Sequence, residues 1–297
     1  MRKAGIMSRT NETVSLNPIH LDRLSDLLAN ISLNAGVFYT GNICGNHEFH
    51  EDRIYGHLHL IRRGPVKLSG EKYTTLTITE PTLLFLPRPR KHRLIAHEAT
   101  GADVVCGTIQ LGISTTNLIT DALPDVIQVK LGRLPGVESL LDVMFKEAFS
   151  EHPGRQAVLD RLCEVLMIWL LRYCIDHGLS QNGTLAGLAD RRISLALQAL
   201  YKNPEKPWDL SLMASLSGMS RARFAVRFRE VIGQTPAEYL ASLRIMIAQR
   251  LLKQGRQLKH IALEVGYATP SALTRAFVRK LGQNPTEWMK RLDSSMR

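Results

Sequence analysis

The chain has 297 residues, of which 44% are hydrophobic and 22% charged, with a formal net charge of +11. That length exceeds the roughly 100–200 residues of a single domain and predicts two, and the composition is that of a globular protein with a full core. No run approaches ~18 uninterrupted apolar residues, so no membrane span is expected; no apolar signal-peptide core opens the chain, and four cysteines without CxxC spacing exclude a disulfide scaffold, so a reduced, cytoplasmic protein is expected.

Residues 1–20 read as a polar, flexible tail. Leu21, Leu24, Leu27, Leu28 and Ile31 then recur at helical spacing. From Gly36 to about Val129 the pattern changes to short β-rich runs at 37–39, 57–61, 65–68, 73–78, 82–86 and 104–109. Turn residues separate these runs, which predicts a small barrel or sandwich over 21–130. His57 and His59 fall on one face of a strand, as two metal ligands would, and with His92 and the His47-Glu48-Phe49-His50 cluster they are the metal candidates of this region. Arg62 and Arg63 follow directly, and positive charge beside a cation site is unfavourable, so neither a metal nor another cofactor is expected. Cys106 lies in an apolar run, where a cysteine is ordinarily a small buried hydrophobe. Cys44 and Cys106 are nonetheless the candidates for redox sensing, because Arg62, Arg63 or Lys91 would favour a thiolate.

Leu159, Leu162, Leu166, Trp169 and Tyr173 step by three and four along a helix, a coiled-coil-like seam. Cys163, Met167, Leu170 and Cys174 form a second stripe beside it. One face is expected to cover the barrel and the other to meet a second copy, which makes 131–178 a helical dimerisation segment. Gly178, Ser180, Asn182, Gly183, Thr184 and Gly187 then read as a linker at 179–190.

Charge is segregated across that boundary. Residues 191–297 hold 19 Lys and Arg against 7 Asp and Glu, a balance of +12, and residues 1–190 hold 19 against 20. A basic C-terminal block beside a neutral domain is the footprint of polyanion binding. The block also repeats itself. Gly218-Met-Ser-Arg-Ala-Arg-Phe-Ala-Val-Arg-Phe228 and Gly233-Gln-Thr-Pro-Ala-Glu-Tyr239 are echoed by Gly266-Tyr-Ala-Thr-Pro-Ser-Ala-Leu-Thr-Arg-Ala-Phe277 and Gly282-Gln-Asn-Pro-Thr-Glu-Trp288. Each copy reads as helix, glycine turn, helix, over about 208–231 and 258–281. Asp209, Ser220 and Thr269 are the N-caps, and Thr235-Pro-Ala-Glu238 and Asn284-Pro-Thr-Glu287 are capping boxes with Pro at the first helical position. A longer helix, Pro236 to Gln254, joins the copies. The doubled motif reads as two helix-turn-helix units for DNA.

With Phe224 and Phe228 inward, Ala222, Ala225, Val226 and Arg229 point outward, flanked by Arg221, Arg223 and Arg227. The apolar ones reach a thymine methyl and no base-edge hydrogen bond, so Arg221, Arg223 and Arg227 are expected mainly on phosphates. With Leu273 and Phe277 inward, Ser271, Arg275 and Arg279 point outward. Trp208, Tyr239 and Trp288 are expected to pack between helices rather than stack on bases.

These C-terminal residues, with Ala248-Gln-Arg-Leu-Leu252 and Ile261-Ala-Leu-Glu-Val-Gly-Tyr267, resemble the AraC/XylS family of bacterial transcription regulators over about residues 191–297. The resemblance implies two units on one linker helix, reading successive major-groove segments of promoter DNA. It also implies a base-contacting role for Arg275, and it places Val226 where the family often has Arg. The runs His59-Leu-Ile-Arg-Arg-Gly64 and Leu83-Leu-Phe-Leu-Pro87-Arg-Pro-Arg-Lys-His92 resemble the cupin-type sensor domain of many such regulators, with Glu80-Pro81 in place of the usual Gly-Asp. The enzymatic cupin pattern has a Glu where this chain has Arg62-Arg63. The expected architecture is therefore α+β: an N-terminal β-barrel, cupin-like domain with helices, and a C-terminal all-α double helix-turn-helix domain over 191–297. The expected function is a sequence-specific, nucleoid-associated transcription regulator, an activator, that senses a small molecule or oxidant. Its expected partners are a second copy of itself and RNA polymerase, with no membrane. Two other readings are a metal-dependent cupin enzyme fused to a DNA-binding tail and an architectural DNA binder without sequence choice.

Overall fold

The structure is a computed structural model and describes residues 22–50, 55–70, 73–112, 118–134 and 136–295. The tail expected at 1–20 lies outside these residues. Among the described residues a short helix α1 (Ser25–Asn30) precedes nine strands: β1 (Leu33–Ile43), β2 (Gly45–Phe49), β3 (Gly56–Arg63), β4 (Val66–Gly70), β5 (Tyr73–Ile78), β6 (Thr82–Leu86), β7 (His92–Ala96), β8 (Ala102–Leu111) and β9 (Ile127–Lys130). They form two antiparallel sheets, ordered β1-β8-β3-β6-β9 and β2-β7-β4-β5.

Period-two alternation in β3 and β8 explains how the domain is layered. Leu58 and Leu60 of β3 and Val105 and Ile109 of β8 join a core shared with the helices. Ile61, Val104 and Cys106 point the other way, into a second core with Leu68 and Ile78 of the facing sheet and with Leu94 of β7. Both faces of these central strands are thus covered, and Gly56 through Ile61 are buried without a break.

The helical side consists of α2 (Val137–Ala148) and α3 (Arg155–Asp176). Helix α3 lies along β1, where its Gln156 Nε2 donates to the Val37 carbonyl at 2.7 Å and Asp160 accepts from the Val37 N–H at 2.9 Å. Part of the surface expected to meet a second copy is covered within the chain, while Leu162 and Trp169 of the seam are half-buried and Val158 and Val165 of the same helix are exposed. Leu159, Leu166 and Tyr173 of the seam, and Cys163, Met167, Leu170 and Cys174 of the second stripe, are all buried within one chain. The reason is that α3 is sandwiched: β1, α2 and the following helix α4 (Gly183–Ala189) all pack on it.

Helix α4 is itself a departure, because 179–190 reads as a linker. Thr184, Leu185 and Leu188 are buried, and α4 packs on α3 and on two C-terminal helices, α5 (Ile193–Lys202) and α7 (Arg221–Ile232). Gly187 serves close approach here rather than freedom: a Cβ would run into the Ile232 and Leu197 side chains at their Cδ1 atoms. The two halves of the chain therefore share one continuous apolar core. Polar links add to it at α1, where Asn30 Nδ2 donates to the Tyr201 carbonyl at 2.9 Å and Arg23 Nη1 to the Leu188 carbonyl at 3.1 Å.

The remaining helices are α6 (Leu210–Leu216), α8 (Pro236–Lys253), α9 (Leu258–Glu264), α10 (Pro270–Leu281) and α11 (Pro285–Ser295). Their starts follow the caps read from the sequence. Asp209, Ser220 and Thr269 side chains accept from the N–H groups of Leu212, Arg223 and Ala272. Thr235 and Glu238 form a reciprocal capping box, and Asn284 and Glu287 exchange the equivalent pair of hydrogen bonds. The turns of the two units use Gly218 (φ +60°) and Gly266 (φ +80°). The repeat extends to packing: Phe228 meets Tyr239 edge-on at 5.7 Å, and Phe277 meets Trp288 edge-on at 5.8 Å. Removing either fully buried Phe would leave a cavity costing about 3–5 kcal/mol.

Candidate nucleic-acid interface

Helices α7 and α10 present the candidate surface. Burial of Phe224 and Phe228 turns Arg221, Ala222, Arg223, Val226, Arg227 and Arg229 outward, with Ala225 half-buried. Burial of Leu273 and Phe277 turns Ser271, Arg275 and Arg279 outward. The arginine-bearing sides of both units thus face solvent, where a duplex can reach them. Tyr239 and Trp288 are buried, and the Trp208 indole donates to the Asn203 carbonyl at 2.7 Å, so all three aromatics serve the helical packing.

These arginines differ in what holds them. Arg227 donates from Nε and Nη2 to Asp190 Oδ2 at 3.1 and 2.9 Å, and Glu230 stands 3.6 Å from its Nη1. Asp190 in turn caps α5, its Oδ1 accepting from the Arg192 and Ile193 N–H groups at 2.9 Å each. Partial burial works against the Asp190 charge, yet the Ile193 and Arg192 N–H groups and the Arg227 guanidinium together hold its carboxyl below the usual range. Arg221, Arg223, Arg229, Arg275 and Arg279 form no ion pair among the described residues. The sequence nominated Arg227 with the others, and the structure sets it apart. Its partner lies 37 residues away, a distance at which only the fold makes a neighbour.

A groove of about 880 Å³ runs beside α7, lined by Arg191, Arg192, Ala222, Arg223, Val226 and Arg227 among others. Arg191 and Arg192 were not among the residues nominated from the sequence. They adjoin Asp190, whose pairing with Arg227 brings this turn beside α7, a neighbour only the fold supplies.

Arg244 of α8 is basic but structural. It donates to the Pro204 and Lys206 carbonyls at 2.8 and 2.9 Å and lies over the Tyr267 ring, tying the 203–208 segment to the second unit.

In the barrel, His57, His59 and His92 do come together, as nominated, with Cys106 beside them. Their hydrogen bonds form a directed chain. His92 Nδ1 is 2.9 Å from the Arg90 carbonyl and must donate to it. Burial lowers the pKa of both His59 and His92, and a neutral His92 therefore offers Nε2 as an acceptor. His59 Nε2 donates to it at 2.8 Å, which leaves His59 Nδ1 to accept from the Cys106 thiol at 3.1 Å. Both nitrogens of His59 are thus engaged within the cluster, and no carboxylate hydrogen-bonds to it among the described residues. Among the described residues no group of three or more His, Cys, Asp or Glu side chains is arranged to hold a metal ion.

The two nominated thiols sit apart in character. Cys106 is fully buried, and burial pushes its thiol up and away from the thiolate. Cys44 is exposed, its Sγ 3.3 Å from Asn42 Oδ1. No helix among the described residues is long and apolar enough to cross a membrane.

A family model described as "Cupin" matches residues 22–176, and one described as "Helix-turn-helix domain" matches residues 213–291. An uncharacterized HTH-type transcriptional regulator of Haemophilus influenzae is 29% identical over 296 residues, covering 91% of this chain and 98% of that protein. A putative AraC-like transcription regulator of Streptomyces antibioticus is 34% identical over 202 residues, 66% of this chain and 67% of its own length. The RCS-specific HTH-type transcriptional activator RclR of Escherichia coli is 28% identical over 242 residues, 79% of this chain and 84% of that protein. With a cupin model over the first half, a helix-turn-helix model over the repeat and relatives of this kind, the chain belongs to the AraC/XylS family of DNA-binding transcription regulators that carry an N-terminal cupin domain.

Proposed function

We propose that the chain activates transcription by placing α7 and α10 in successive major-groove segments of one promoter, under control of a small molecule or oxidant that acts on the barrel. The observation that carries this reading is the outward arginine set of the two recognition helices, in particular Arg275, exposed on α10 and in no ion pair among the described residues. A guanidinium so placed reaches guanine O6 and N7 as a bidentate donor, worth about 1–3 kcal/mol of discrimination. Arg221, Arg223, Arg229 and Arg279 supply phosphate contacts, and Ser271 lies on the same outer side as Arg275. If an oxidant is the effector, Cys44 is the thiol with the exposure to meet it. The reading includes a homodimer acting in the cytoplasm on nucleoid DNA, RNA polymerase as the activation partner, and no catalytic role. Its test is Arg275→Ala against duplexes selected by the full chain. The expected result is relaxed preference at one base pair; an equal loss of affinity on every sequence would reduce Arg275 to a phosphate contact and favour an architectural binder.

A further inference from the structure

We propose that the first helix-turn-helix unit reads thymine through its methyl group, with Val226 and Ala222 as the specificity-determining residues. The inference rests on the DNA reading of α7 given above and deepens it. Val226 is 60% exposed in the middle of α7. A β-branched residue is a poorer helix former than Ala, Lys or Arg, so an exposed valine there does not serve the helix. Ala222 stands one turn earlier on the same face, also exposed. Both line the groove of about 880 Å³ whose other walls carry Arg191, Arg192 and Arg223, together with Arg227 and the two carboxylates paired to it, Asp190 and Glu230. Guanidinium groups flanking an apolar strip match a duplex edge: the cations meet phosphate oxygens, and the strip meets the bases between them.

In the major groove thymine alone presents a methyl group, and apolar contact with it is the one base-edge interaction open to Val and Ala. The longer polar residue beside them, Arg227, is withheld by the two hydrogen bonds from Asp190 Oδ2 at 3.1 and 2.9 Å. On α10 the exposed Arg275 carries no such restraint. The two units therefore read different chemistry, a methyl group in one half-site and guanine in the other.

The experiment uses the full chain and duplexes it selects from a random pool. Each thymine is replaced in turn by deoxyuridine, which removes one methyl and leaves the hydrogen-bonding edge unchanged, and dissociation constants are compared at one salt concentration. Within the half-site that Arg275→Ala does not disturb, at least one replacement should weaken binding about fourfold, the worth of one buried methyl-sized group. The Val226→Ala variant should lose that difference while binding the deoxyuridine duplex as the natural chain does, which separates a lost methyl contact from a lost fold. Equal affinity for thymine and deoxyuridine throughout that half-site, or undiminished discrimination by Val226→Ala, overturns the inference and leaves sequence-specific binding standing. A pool that enriches no sequence sinks the regulator reading and this inference together.

Discussion

Replacing Asp190 by Asn should make the chain bind DNA more tightly and with a steeper dependence on salt. Asp190 does two things: Oδ1 caps α5 through two N–H groups at 2.9 Å, and Oδ2 holds the Arg227 guanidinium. Asparagine keeps the capping oxygen and gives up the charge. The Arg227 side chain is 48% exposed, so the ion pair contributes at most about 1 kcal/mol to folding, and the melting temperature should barely move. On DNA the freed guanidinium adds about one phosphate contact, which steepens the slope of log K against log salt by about 0.9. Between 50 and 200 mM salt, the variant's advantage over the natural chain should accordingly shrink about 3.5-fold. Fluorescence anisotropy on one duplex across that salt range, beside a thermal melt, measures both quantities. An unchanged slope would refute the idea that Asp190 withholds Arg227. A loss of more than about 2 kcal/mol in stability would show that Asp190 acts chiefly as structure.

The turn glycines should respond unequally to alanine. Gly218→Ala places a side chain at φ +60° with nothing within 4 Å, which costs about 1 kcal/mol. Gly266→Ala adds contacts of 2.6 Å with both the Glu205 carbonyl and Arg244 Nη2, so its cost should reach about 2–4 kcal/mol in urea unfolding; equal losses would contradict the packing described. The barrel should weaken on mild acidification. His59 and His92 have lowered folded pKa values against an unfolded 6.5, so below about pH 6.5 the unfolded chain takes protons that the barrel refuses. Stability is then full above that pH and falls beneath it, by up to about 1.4 kcal/mol per pH unit for each histidine. Urea midpoints at pH 7, 6 and 5 should converge between the natural chain and His59→Gln as this contribution is removed, and parallel midpoints would refute it.

The C-terminal half is largely written in local signals. Asp209, Ser220, Thr235 and Thr269 start helices in the structure as they do in the sequence, because a cap acts within three residues. What escaped depends on long-range neighbours. Helix α4 is rich in glycine, and only the Ile232 and Leu197 side chains over Gly187 show that this glycine permits contact. Strand β7 is five residues with Arg93 and Ile95 outside and His92, Leu94 and Ala96 inside, too short and too mixed to stand out from a loop. The seam of α3 is real as periodicity, but period alone cannot say whether the covering partner is another copy or the chain's own β1, α2 and α4. At the candidate interface the outward positions follow from the helical wheel, whereas the restraint on Arg227 needs Asp190 brought across from another helix. In the barrel the sequence pairs His57 with His59, and only strand pairing brings Cys106 level with His59.

Hydroxyl-radical footprinting of the full chain on a duplex it selects, with Arg275→Ala alongside, bears most directly on whether both recognition helices engage one duplex. The account predicts protection of two segments on one face, about one helical turn apart, with the variant losing definition in one of them. Protection confined to a single groove segment, or a footprint that the variant leaves unaltered in both, would contradict it.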